Sequence, residues 1–467
     1  MPQSQTVALP KRWPLVIEPE NRDDNASKDA KLINCFMETR KRDDEAEQWI
    51  YKRPGLLIDS THSESGNGYG LYNWLGDIYA IFGGTIFKNG TSIGSVDATG
   101  GVYRFSSTLE STRKLVLGNG VKAYVWDNTT LTQITDVDFP SPFVKGWSYL
   151  DGTTYVMNSL AEIYGSDIDD PLTWDVLNKI VAQIEPDSGV ALGKQLVYTI
   201  AFKEWTTEAF FDAGNPTGSP LGTVQGAKIN YGCANADSVQ SIDDVLIWLS
   251  TTRSAAAQII MMEGLKAQVV STKAIERLLD HADLSTVYSW IFKDEGHTFY
   301  IITIKEENLT LAFDLRERMW SQWTDVDGNY LPIVSSTFDS SRQHLLQHES
   351  NGNVYYADRD YTNDNGSVIT VDVITPNFDG GTRRRKHLNV IEFLADQTGG
   401  SELQVRYNDN DYDASSWTDY RSVDLSVQRP ILIKNGTFQR RAYHLRHQSD
   451  TKLRLMALEL QLDLGTI

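Results

Sequence analysis

The chain has 467 residues, 40% of them hydrophobic, and carries 43 Lys plus Arg against 62 Asp plus Glu, a net charge of −19. That supports real cores in two or three domains but argues against a surface that grips nucleic-acid phosphate. No run approaches ~18 apolar residues, which excludes a membrane-spanning helix; Met1–Gln5 lacks the basic start of a secretory leader, and Cys35 and Cys233 read as buried thiols, not a disulfide framework.

Residues 1–66 hold few strand signals and many charges, with Trp13, Phe36 and Trp49 as isolated apolar anchors, and read as an N-terminal arm packing on other elements. From residue 67 a physical pattern recurs. Residues 70–84 read as strand, Gly76-Asp77 turn and strand, and Asn89-Gly90 leads into a further strand. Asn-Gly is the pair that accepts the positive φ of a two-residue hairpin. Asn89-Gly90-Thr91 and Asn365-Gly366-Ser367 match the glycosylation pattern, but without export they read as turns in a chain made and assembled in a cytoplasm.

Residues 114–117, 121–126 and 131–134 repeat the scheme, and 149–156 with 163–166 form another set ending at Trp174. Residues 190–194, 196–203 and 209–212 supply the next, and 241–249 opens the one after. Ser271-Thr272 caps a short helix whose Ile275, Leu278 and Leu279 form an apolar stripe, read as core packing. The clearest unit is 289–325, with strands at 290–293, 297–304, 309–314 and 319–323 separated by turn or charged residues. Four antiparallel strands of this kind cannot bury both faces alone and need neighbours of the same kind. Residues 333–338, 344–348 and 354–357 form a last, partial unit.

Such units, at roughly 35–50-residue spacing, predict a mainly β chain with a β-propeller of about six blades, to within one or two, over 67–361. Two or more β-sandwiches in series are the alternative. Residues 362–367 break the pattern, and 362–467 read as a C-terminal antiparallel β-sandwich-like domain with strands at 368–375, 386–395, 402–408, 431–434, 441–447 and 452–463. The last alternates through Leu453, Leu455 and Ala457, then shifts phase to Leu458, Leu460 and Leu462, as a bulge allows.

Basic islands interrupt the acidic background: Lys11-Arg12, Arg40-Lys41-Arg42, Lys52-Arg53, Arg383-Arg384-Arg385-Lys386 and Arg440-Arg441. A charge run is usually a solvated face. The functional reading is that such islands meet acidic patches on neighbouring subunits, with Arg383, Arg384, Arg385 and Lys386 as the candidate partner-binding residues.

Patterns of catalysis occur only as accidents. Gly90-Thr91-Ser92-Ile93-Gly94 matches the nucleophile elbow literally, yet it follows a hairpin turn and leads into a strand, where that motif needs a helix. His344 and His348, four apart in a strand, are roughly 13 Å apart and cannot share a metal. Asp409, Asp411 and Asp413 alternate like a calcium loop but lack its glycine and final acid, and read as a solvated hairpin tip. No catalytic residue, metal or cofactor is expected.

Several pieces in order resemble one family. Lys52-Arg53-Pro54-Gly55-Leu56, Phe87-Lys88-Asn89-Gly90 with Ile93-Gly94-Ser95-Val96, the stretch 203–214 (KEWTTEAFFDAG), Ser271-Thr272-Lys273-Ala274-Ile275-Glu276, and Gly296-His297 through Trp320 and Trp323 resemble the tail hub, or nozzle, proteins of short-tailed bacteriophages, the family named for stabilising packaged DNA. The resemblance implies a structural, non-enzymatic virion protein, a homo-hexamer forming a tube below the portal and adaptor rings. It would retain DNA and conduct it during ejection, without sequence-specific binding, with tail fibre or tailspike and needle or plug proteins as further partners. A polysaccharide-binding or polysaccharide-cleaving propeller is the alternative, in which aromatics and carboxylates converge at the channel mouth. Trp320 and Trp323 read as packing at a blade edge, not as a sugar platform.

Overall fold

A computed structural model of the chain describes residues 12–13, 15, 30–42, 45–62, 66–254, 256–341 and 343–465. Met1–Gln5, Lys11 and the side chains of Lys41 and Arg42 lie outside the described residues.

Seven four-stranded antiparallel meanders follow one another and close into a β-propeller. Their innermost strands are Gly68–Trp74, Arg104–Ser107, Ser148–Leu150, Gly189–Gln195, Gln240–Ile242, Val287–Asp294 and Ile333–Phe338, which define blades 1 to 7. Hairpin chemistry builds them locally: Asn89-Gly90 and Glu295-Gly296 both take positive φ at two successive residues, as a tight hairpin turn requires. The blade count stands at the upper side of the expected range because the partial unit after residue 333 is complete. Its fourth strand is Gly55–Thr61, which pairs antiparallel with Asn353–Asp358 from Gly55↔Asp358 to Thr61↔Asn353.

Every neighbouring pair of blades shares one apolar cluster. Trp74 and Tyr79 meet Leu115 and Trp126 between blades 1 and 2, and Leu71 and Phe82 meet Leu345 and Val354 between blades 1 and 7, where the ring closes. Trp290 and Trp323 sit in the core between blades 6 and 7, with ring centroids 6.1 Å apart. Trp320 is buried between blades 5 and 6, its indole N–H donating to the Val270 carbonyl at 2.8 Å. The helix Lys273–Asp280 caps on Thr272 and sends Ile275 and Leu279 into that same core.

Beside blades 6 and 7 lie two facing sheets. One orders Cys35–Arg42, Glu45–Lys52, Arg454–Leu464, Lys386–Ala395 and Ile431–Ile433. The other orders Lys31–Ile33, Val371–Ile374, Ala442–His447, Glu402–Asn408 and Arg421–Asp424. Met37, Ile50, Ile391 and Leu458 from the first and Val373, Leu403, Tyr443 and Leu445 from the second share one core, into which Trp13 also packs. Along Arg454–Leu464 burial changes phase at Ala457–Leu458, next to a register shift opposite Leu394 and Ala395. The second sheet continues into the propeller, because Lys31–Ile33 also pairs in parallel with the outer strand of blade 6 at Ile33↔Gln322.

Residues 31–61 are thus strands serving both bodies, where the sequence suggests few. The hairpin 35–52 presents Cys35, Met37 and Ile50 to the sandwich core and Phe36 and Tyr51 to the core between blades 6 and 7, while Arg40 stays exposed, so its interleaved charges mask the alternation. Arg53 fixes the passage into blade 7. Its buried guanidinium is bidentate on Asp364 (3.0 and 2.6 Å) and bonds Asn34 Oδ1 and the Thr324 carbonyl, both at 3.0 Å. Two residues on, Gly55 lies so close to Asn363 that a Cβ would overlap that residue's carbonyl oxygen.

Candidate functional site: the propeller cup and the basic tip

The inner strands of all seven blades surround a cavity of about 940 Å³. Among the described residues the inner strands meet through isolated backbone bonds, such as Tyr103 N to the Tyr69 carbonyl (2.6 Å) and Leu192 N to the Lys145 carbonyl (3.1 Å), and through side chains. In blade 7, Ser335 Oγ and Thr337 Oγ1 accept the backbone N–H groups of Leu71 and Asn73 in blade 1, at 3.1 and 3.0 Å. Ser336, pointing the other way as strand alternation dictates, accepts from Ile291 N at 3.2 Å and donates to its carbonyl at 2.7 Å in blade 6.

One end of the lumen is barred. The turn Ala236–Ser238 precedes blade 5, and the Asp237 carboxylate in it accepts from Lys145 Nζ at 2.5 Å and lies 3.6 Å from Arg104. Arg104 also donates to the Ala236 carbonyl at 3.2 Å. Arg104 belongs to blade 2 and Lys145 precedes blade 3, neither of which neighbours blade 5, so these contacts span the lumen. A smaller cavity of about 190 Å³ lies beyond the bar, walled by Tyr69, Lys145, Asp237, Tyr288 and Glu349. There Glu349 accepts from Lys305, from Tyr330 at 2.7 Å and from Tyr288 at 3.4 Å. Burial, and then the Glu349 charge, pushes the Tyr288 phenol up, keeping it a neutral donor.

The propeller channel is therefore a cup with one open mouth. In its wall Lys194 donates to the Tyr149 carbonyl at 2.6 Å, and burial lowers its pKa. Near the mouth Lys293 pairs with Asp243 at 2.7 Å.

The basic island is divided by the structure. Arg383, Arg384 and Arg385 are exposed where the strand Lys386–Ala395 begins, and Arg384 donates to the Gly465 carbonyl at 3.2 Å. Lys386 is only 1% exposed, so as a direct partner contact it is corrected. Its ammonium donates to the carbonyls of Thr382 (2.6 Å), Arg384 (3.1 Å) and Gln439 (2.9 Å), above the Phe438 ring, and burial lowers its pKa. As the first residue of the strand it points inward and ties the loop that displays the three arginines.

The remaining sequence-named groups are accounted for locally. Ser92 lies in the exposed outer strand Thr91–Ser95 of blade 1. His344 is buried, accepts from Lys293 N at 2.9 Å, and is pushed down to about 3 by burial. Asp409 is bidentate on the buried Arg441 (2.6 and 2.8 Å), Asp411 pairs with Arg440 at 2.9 Å, and Asp413 accepts from Ser415 and Ser416. Among the described residues no three His, Cys, Asp or Glu side chains are placed to hold a metal. Both cysteines are buried and free, and burial pushes the Cys233 thiol up to about 12.

One cluster escaped sequence reasoning. Lys203 pairs with Asp187 at 2.8 Å and Glu208 at 2.6 Å, all three side chains fully buried where blades 3 and 4 meet. Burial works against the Asp187 charge, yet Lys203 and the Trp205 N–H hold its pKa below the ordinary value. Lys203 and Glu208 both belong to the stretch 203–214, but Asp187 lies outside it, and only the fold joins them.

These features define a seven-bladed propeller latched by an N-terminal strand, with its channel barred at one end. The chain belongs to the phage stabilisation family: the model described as "Bacteriophage P22 Gp10, beta-propeller" matches residues 28–364. It is accordingly a bacteriophage structural protein of the DNA-stabilising class, a component of the virion. A search among curated proteins finds no match. Among solved structures the chain is similar to a streptogramin B lyase (TM-score 0.43, 9% identity, covering 66% of this chain and 98% of that one). It is also similar to the Neurospora crassa Pan2 WD40 domain (0.40, 11%, 66% and 94%) and to the WD40 propeller domain of Doa1 (0.40, 11%, 66% and 97%). No helix is long and apolar enough to cross a membrane among the described residues.

Proposed function

We propose that this chain is the subunit of a tail hub, or nozzle, that sits below the portal and adaptor rings, retains packaged DNA and forms the conduit for its ejection. Family membership over residues 28–364 carries the reading. The barred cup adds a physical constraint: a lumen crossed by the Lys145–Asp237 pair cannot pass a duplex whose major groove alone is about 12 Å wide. The conduit then lies between copies of the chain, as in a homo-hexameric tube. A net charge of −19 suits a wall along which phosphate slides without being gripped. The exposed Arg383, Arg384 and Arg385 are the surface we assign to a neighbouring subunit or adaptor.

Mass photometry and negative-stain imaging of the purified protein, with and without the adaptor ring, test this. A ring of several copies with an axial opening is expected. A species that stays monomeric under both conditions and cleaves glycan would instead establish the polysaccharide reading.

A further inference from the structure

Where blades 3 and 4 meet, the ammonium of Lys203 lies against two carboxylates, Asp187 Oδ1 at 2.8 Å and Glu208 Oε1 at 2.6 Å, and all three side chains are closed off from solvent. It also donates to the carbonyls of Glu185 (2.7 Å) and Ala182 (3.4 Å). Such a buried ionic set is weak evidence for stability, because apolar side chains of similar volume often serve as well or better. The same three groups are an amine, an acyl carbon and a base in mutual contact.

Backbone pairing fixes where they stand. Lys203 ends the strand Tyr198–Lys203 and pairs with Gly189, the first residue of the inner strand of blade 4, two positions after Asp187. Glu208 lies on the next strand, Thr207–Asp212, where its Oε1 also accepts from the Ile184 N–H at 3.0 Å. The other oxygen of Asp187, Oδ2, accepts from the backbone N–H groups of Trp205 (2.8 Å) and Thr206 (2.9 Å) and from Thr206 Oγ1 (3.0 Å). Two backbone N–H groups aimed at one carboxyl oxygen form the kind of donor set that stabilises the oxyanion of an acyl transfer.

We propose that Lys203 and Asp187 condense to an intramolecular isopeptide bond, with Glu208 as the proton carrier. Lys203 passes one proton to Asp187 Oδ1, and the freed lone pair on Nζ attacks Cγ, so that negative charge gathers on Oδ2 among the Trp205 and Thr206 donors. Glu208 takes a second proton from the nitrogen and delivers it to Oδ1; the Cγ–Oδ1 bond breaks and Oδ1 leaves as water. The products are a neutral amide, one water and the Glu208 carboxylate, so the site carries one net negative charge before and after, and no co-reactant is needed. Amide formation is unfavourable between free groups in water. Here fixed contact supplies an effective concentration of about 10⁵–10⁸ M, and the reaction removes a buried ion pair. The bond closes a covalent loop from 187 to 203 around the first hairpin of blade 4, which restricts the unfolded chain as a disulfide does.

The test is intact-mass spectrometry of the purified full chain under denaturing conditions, followed by tryptic mapping. A mass one water below that of the sequence is expected, with a branched peptide in which residues 180–194 are joined to 195–228 and Lys203 is uncleaved. Lys203→Arg keeps a cation in the site and Glu208→Gln keeps the side-chain shape; both are expected at full mass with no branched peptide. The wild-type reading stands even if neither variant folds. A wild-type chain at full sequence mass overturns the proposal and leaves an ionic triad. So does a water loss that maps to a linear peptide, the mark of a succinimide, or one that persists in Lys203→Arg. A branched peptide that still forms in Glu208→Gln overturns the assignment of Glu208 as proton carrier.

Discussion

Lys145 and Asp237 meet at 2.5 Å across the lumen, joining the approach to blade 3 to the approach to blade 5. Together with the contacts of Arg104 to Asp237 and the Ala236 carbonyl, this bond ties non-adjacent blades across the channel. Asp237→Asn leaves the Lys145 and Arg104 charges facing a neutral amide. Stability is expected to fall by about 1–3 kcal/mol, seen as a lower urea midpoint with unchanged slope.

Arg53 is a second fastening. Arg53→Lys keeps the charge but loses the fork that grips Asp364, Asn34 and Thr324 together. A loss of about 2 kcal/mol is expected, with hydrogen exchange in Gly55–Thr61 and its partner Asn353–Asp358 rising before that of blades 2 to 5. Uniform acceleration across all blades would show that the strand is no separate latch.

Lys203 should be the most sensitive charge in the propeller. Lys203→Met strands Asp187 and Glu208 in a fully buried site, and breaking such a set typically removes about 3–5 kcal/mol. Thermal unfolding should show the largest Tm decrease of the variants named here.

Acidification should weaken the fold before the carboxylates titrate. His344 and His447 are held neutral by burial, with folded values of about 3 and about 4 against the ordinary 6.5. Below pH 6.5 the unfolded chain binds protons that the folded chain does not, so this stability is complete above that pH and declines as pH falls toward 4. Denaturant midpoints measured from pH 7 to pH 4 should fall, and His344→Gln should make the fall shallower. Asp372, whose pKa is lowered by His444 and Arg446 against the effect of burial, adds its own loss only below the ordinary carboxylate range.

The basic tip should separate surface from interior. Replacing Arg383, Arg384 and Arg385 by Ala is expected to leave monomer Tm nearly unchanged and to weaken assembly. Lys386→Met deprives three carbonyls of their donor and should lower stability by about 1–3 kcal/mol. If the triple variant assembles normally, the tip is a solvated face.

Hairpins of a few residues, such as those at Asn89-Gly90 and Glu295-Gly296, were legible because turn chemistry and strand alternation act between residues close along the chain. Blade-sized units and the packing roles of Trp320 and Trp323 follow from that local pattern. Closure does not: the number of blades depends on Gly55 finding Asp358, about 300 positions away, and no local preference records such a pairing. For the same reason the charge-rich hairpin 35–52 reads as an arm until its two faces meet two different cores. Four adjacent basic residues likewise looked alike until strand alternation turned Lys386 inward. The sequence by itself determined the blade as a unit and the chain's likeness to a tail hub family. Only the tertiary structure decided how the ring closes, that its channel is barred, and which charges are surface and which are interior, because those outcomes rest on contacts between residues that composition and spacing leave unrelated.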